Sequence, residues 1–185
     1  SELDELKKSL EEIHRRDREK NRKLKEDLKR ILDEIRKRLE ESKKRLEEIL
    51  REIERLLRER KDDSVRREIK KLLEEIKERV KKVDKETEDL LREAKKEVRR
   101  LEEDDKRSLK ELTDEVRDAE RRLTDDEKAL KELRKILEDV ARANEELNRD
   151  TRRTLERVEE EVEKLNRDHK RVLEKVERDV RRLTK

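Results

Sequence analysis

Apolar or small side chains fall at Leu3, Leu6, Leu10 and Ile13, and the spacing continues through Asp17, Asn21, Leu24, Leu28, Ile31 and Ile35. It then passes Leu39, Ser42, Leu46, Ile49, Ile53 and Leu57. Steps of 3, 4, 3, 4 and 4 recur, so five steps span 18 residues. The mean step is ~3.6 residues, the turn of an undistorted α-helix. A strict seven-residue repeat would instead impose a left-handed supercoil. The pattern predicts long, straight helices, each holding one face inward.

The phase of this seam locates the turns. Continued beyond Leu57 it would bury Glu75, Glu93 and Glu111, whereas the apolar positions restart at Val65, Ile69, Leu72, Ile76 and Val80. The break coincides with Lys61-Asp62-Asp63-Ser64, where Asp63 or Ser64 can accept the free N–H groups that open a helix. A second break falls at Leu123-Thr124-Asp125-Asp126-Glu127, where Thr124 and Glu127 have capping-box spacing. Extending the earlier seam past it would bury Arg134, Arg152 and Lys170. Three helices are predicted, near residues 2–61, 64–123 and 126–184, forming a single bundle. Each would be roughly 90 Å long, and two short loops would impose an antiparallel up-down-up course with little twist. With no Gly in the chain, Asp62 or Asp125 is expected to take any left-handed loop position.

Composition alone would argue against folding. Of 185 residues, 63% are charged and 28% hydrophobic, and Gly, Pro, Cys, Met, Phe, Tyr and Trp are absent. Such a balance is common in disordered chains. Here the charges nearly cancel, to a net +3, the apolar residues are periodic, and Leu, Glu, Lys and Arg are strong helix formers. Pairs such as Glu41–Arg45, Glu47–Arg51 and Glu174–Arg178 have the favourable i,i+4 order. Without cysteine there is no disulfide or thiolate metal site. No apolar run is long enough for a membrane span or the core of a targeting signal. Acids interleaved with bases, and no aromatic rings, argue against nucleic-acid binding. The sequence assigns no compartment beyond a soluble chain suited to recombinant cytoplasmic expression.

Polar residues interrupt the seam. With Leu57 set opposite Ile69 and Leu123 opposite Asp126, Asn21 faces Asp105 and Asp105 faces Asn144. Asp17, Ser108 and Asn148 are their neighbours. Farther along, Ser42 falls near Thr87, Asn166 and His169. His14 comes level with Thr113, and Thr151 and Thr154 are expected to bond to carbonyls of their own helix. These residues are predicted to form hydrogen-bonding layers that fix helix register, as a buried Asn does in coiled coils. His14 and His169 lie too far apart to share a metal, and no metal-binding or catalytic motif occurs. No cofactor is expected.

In composition, Asp/Ser/Thr caps, seam regularity and polar layers, the whole chain resembles de novo designed, parametrically generated straight three-helix bundles built on 18-residue repeats. The resemblance implies a monomeric structural scaffold that needs no partner and has no evolved activity. The alternative is a helical module that accepts a further helix or self-associates; the extra column Ile136, Thr154 and Val172 on the third helix supports it.

Overall fold

A computed structural model describes residues 1–60 and 62–185. Among these residues there are three helices and no strand: α1 (Glu2–Glu59), α2 (Asp63–Arg122) and α3 (Glu127–Thr184). The predicted end of the first helix at residue 61, and Lys61 of the first loop, lie outside the described residues.

Each helix opens on a side-chain oxygen, though not always the expected one. The Asp4 amide donates to Ser1 Oγ at 3.4 Å. The Val65 amide donates to Asp62 Oδ1 at 3.3 Å, and Ser64 Oγ donates to the same oxygen at 2.5 Å. Asp62 therefore caps α2, where Asp63 or Ser64 was expected. The Ser64 hydroxyl, foremost, holds the Asp62 carboxyl below its ordinary range. At α3 the Ala129 amide donates to Asp126 Oδ1 at 3.3 Å, so Asp126 takes the cap expected of Thr124. The chain turns at Thr124 and Asp125. No described residue has a positive φ, so neither Asp62 nor Asp125 adopts the left-handed conformation. An exposed turn made of right-handed and extended residues needs no glycine.

All three helices contribute to each of two compact units, one comprising residues 1–28 and 94–156, the other 29–93 and 157–185. In the first unit, buried Leu6 and Leu10 of α1 pack with Leu112, Val116 and Ala119 of α2 and Leu133 and Val140 of α3. Lys7 and Lys25 of α1 pair with Glu132 and Asp150 of α3 in the same order along the chain. Glu120 and Glu102 of α2 pair with Arg134 and Arg152 of α3 in the reverse order.

In the second unit, Leu46, Ile49, Ile53 and Leu56 of α1 pack with Val65, Ile69 and Ile76 of α2 and Val176 and Val180 of α3. Arg45 grips Glu75 through Nε and Nη2, at 2.9 and 3.1 Å, instead of the Glu41 expected from i,i+4 order. Arg38 pairs with Glu86. Arg51 and Arg178 turn to the backbone carbonyls of Glu47 and Glu174, not to the side chains. Such partly exposed pairs contribute little to stability. The cores dominate, because each fully buried Leu or Ile is worth ~1.5–3 kcal/mol.

The 18-residue recurrence is visible in the burial pattern. Leu10, Leu28 and Leu46 are all fully buried. Val65, Val83, Leu101 and Ala119 on α2, and Val140, Val158 and Val176 on α3, are buried as well.

Candidate functional site

The buried polar side chains occupy the same recurring positions as the core hydrophobics. On α1, Asp17 stands where Ile35 and Ile53 stand one and two repeats later, and Ser42 continues the column of Leu6 and Leu24. Thr87 and Asp105 follow Ile69 on α2, and Thr151 and His169 follow Leu133 on α3. Each polar group thus replaces a Leu or Ile side chain at a position built to be dry. Desolvation there is costly unless a hydrogen bond offsets it.

In the first unit Asn21, 1% exposed, is the best satisfied. Its Nδ2 donates to the Asp17 backbone carbonyl at 2.8 Å and, at 3.4 Å, to Asn148 Oδ1. Its Oδ1 accepts from Thr151 Oγ1 at 2.6 Å. Thr151 therefore bonds across to α1, contrary to the expected bond within its own helix, whereas Thr154 does donate to its own Asp150 carbonyl. A Thr hydroxyl facing a neighbouring helix at hydrogen-bond distance prefers an amide oxygen that no other donor serves.

Asp105 receives no hydrogen bond from Asn21 or Asn144. It contacts Asp17 and accepts a hydrogen bond from Asn148. Burial, foremost, pushes its carboxyl up to about 7, helped by the hydrogen bond and charge of Asp17, against the pull of Asn148 and Lys20. Neither Asp17 Oδ2 nor Asp105 Oδ2 has a donor while both groups are ionised. Asn144 is fully buried. Its Oδ1 lies 3.4 Å from His14 Nδ1, and its Nδ2 has no partner. His14 was expected beside Thr113, but Thr113 Oγ1 donates back to the Leu109 carbonyl at 2.7 Å. Ser108 is half-buried and lines a groove with Asp17.

In the second unit Ser42 Oγ lies 2.7 Å from His169 Nε2, both groups buried. Burial, foremost, lowers the imidazole below its ordinary value; Asp84 opposes this and Lys43 reinforces it. Thr87 is buried with an unpartnered hydroxyl. Asn166, expected in this layer, is exposed. It follows Asn148 by 18 residues on the same column of α3, but at that level α2 presents Thr87 where the first unit has a carboxyl. A neutral hydroxyl draws an amide out of water less strongly than a carboxylate does.

This arrangement can hold helices in register and can bind protons. Among the described residues no three His, Cys, Asp or Glu side chains are grouped so as to hold a metal ion. No described helix is long and apolar enough to cross a membrane. The cross-helix partners of Asn21 and Asp105 were missed because residues four apart share a helix face, so the seam reads alike when one helix slips by a turn.

No family model matches the sequence, and no curated protein matches it. Among solved structures, one described as a computationally designed three helix bundle matches with a TM-score of 0.64 and 20% identity, over 98% of this chain and 88% of its own. Likeness at that identity speaks for the fold alone, and a fold does not carry a function with it. The chain is similar in fold to a designed three-helix bundle, and it is itself an all-α three-helix bundle with hydrogen-bonded polar groups buried in its core.

Proposed function

We propose that this chain is a designed structural scaffold with no evolved catalytic or ligand-binding role, and that its buried polar groups serve to fix helix register. The observation that carries the reading is the occupancy of the repeat. Ser42–His169 and Asn21–Thr151 satisfy one another across helices at positions that elsewhere hold Leu, Ile or Val. A slip of one turn would break both pairs, and each buried group then left without a partner costs ~1–3 kcal/mol. Apolar contacts would tolerate the same slip. The order of the ion pairs supports an up-down-up course, and the ~3.6-residue step supports helices that cross with little twist.

The competing reading is a module that takes up a fourth helix or its own copy. It draws on the column Ile136, Thr154 and Val172. Ile136 and Val172, however, already pack against the cores of their units, and Leu183, 37% exposed, is the exposed large hydrophobic among the described residues. The scaffold reading is therefore favoured. Its test is the solution molar mass over a range of concentrations. A value of 22.9 kDa throughout is expected, and a concentration-dependent dimer would return the module reading to first place.

A further inference from the structure

We propose that Asp17 and Asp105 hold one proton between them, making the first unit a buried proton-binding site that loosens when the proton leaves. The two carboxyls come from different helices, are 3% and 2% exposed, and contact one another. Each keeps an oxygen that no donor reaches. Two carboxylates in contact and out of water repel, and each lacks the hydration that would offset its charge. A single proton removes both faults. It neutralises one group and turns it into the donor that the other needs.

The surrounding charges do not supply an alternative. On α1, Lys20 acts on Asp105, Arg16 is engaged by Glu12, and His14 is turned to Asn144. On α2 and α3, Glu102 and Arg152 pair with each other at 2.7 Å, and Arg149 pairs with Glu145 at 3.2 Å. Lys106 lines the groove beside Asp105 but is exposed. The balance of these influences leaves the Asp105 carboxyl raised from 3.8 to about 7. Between those values the folded chain binds more proton than the unfolded chain. The site's contribution is therefore complete below about 4, falls as pH rises to about 7, and is absent above.

The test is denaturant unfolding of the full chain between pH about 5 and about 8, beside Asp105→Asn. Asn keeps the shape, carries no charge and can itself donate to Asp17. One linked proton changes the folding equilibrium constant by up to about tenfold per pH unit. The wild type is expected to lose stability relative to Asp105→Asn as pH rises from about 5 to about 7, approaching that rate at the acid end, and to level off above. Parallel pH profiles for the two chains would overturn the proposal. If Asp105→Asn does not fold, infrared spectra of the folded wild type at pH about 6 decide. A carbonyl stretch of a neutral carboxylic acid, lost on raising the pH, supports the shared proton; its absence overturns it.

Discussion

Ser42 Oγ and His169 Nε2 lie 2.7 Å apart across the α1–α3 contact of the second unit, both shielded from water. When the imidazole carries its proton on Nδ1, the Ser42 hydroxyl donates to Nε2; in the other tautomer Nε2–H donates to Ser42 Oγ. Either way the ring is neutral. Its pKa is lowered from 6.5, chiefly by burial, so the unfolded chain takes up a proton before the folded one does. The stability that depends on neutral His169 is complete above 6.5 and is lost as pH falls from there through the lower folded-state value. This slope is opposite to that of the first unit. Denaturation profiles of His169→Gln should lack the acid-side loss near pH ~6; an unchanged profile would show that the ring does not titrate on unfolding.

Ser42→Ala should destabilise the chain by ~1–3 kcal/mol, because it leaves a buried ring nitrogen unpaired. Replacing Ser42 and His169 together by Leu should cost less than the sum of the single changes, since both desolvated groups go at once. Additive losses in a mutant cycle would mean that the two side chains do not interact.

Thr87→Val is expected to be neutral or to stabilise by about 1 kcal/mol. The substitution keeps the branched shape and removes a buried hydroxyl that has no partner. One repeat along, its counterpart Ile69 already lies in the second unit's apolar core. A loss above ~1 kcal/mol in urea titration would reveal a hydrogen bond that the structure lacks.

The second loop separates two capping assignments. Asp126→Ala should cost ~0.5–2 kcal/mol, because Asp126 Oδ1 receives the Ala129 amide. Thr124→Ala should stay within ~0.5 kcal/mol. The reverse order in thermal melts would reinstate Thr124 as the cap.

How far the sequence could be read depends on what its period encodes. The inward residues of α1, from Leu6 to Ile53, follow from 3.6-residue spacing, and so does the burial of Asp17, Asn21, Ser42, Asp105, Asn144 and His169. The partners do not follow. Setting Leu57 opposite Ile69 placed Asp105 against Asn21, whereas it meets Asp17, one turn away. Asn148, one turn beyond Asn144, then reaches Asp105. Helical periodicity repeats with every turn, so it records which face points inward and says little about axial position. Axial position depends on the loop, and α1 already ends at Glu59. Asn166 shows a second limit: its column is right, but at the seam margin small differences in what lies opposite decide between core and water.

Eighteen residues make five whole helical turns, and this has a consequence for editing the protein. Removing one such block from each helix would return every remaining side chain to its original compass bearing, whereas removing seven would rotate it by ~20°. Length is therefore a quantised variable in this chain. It can be changed in fixed increments without redrawing the core, provided that each excised block takes both halves of a polar pair or neither.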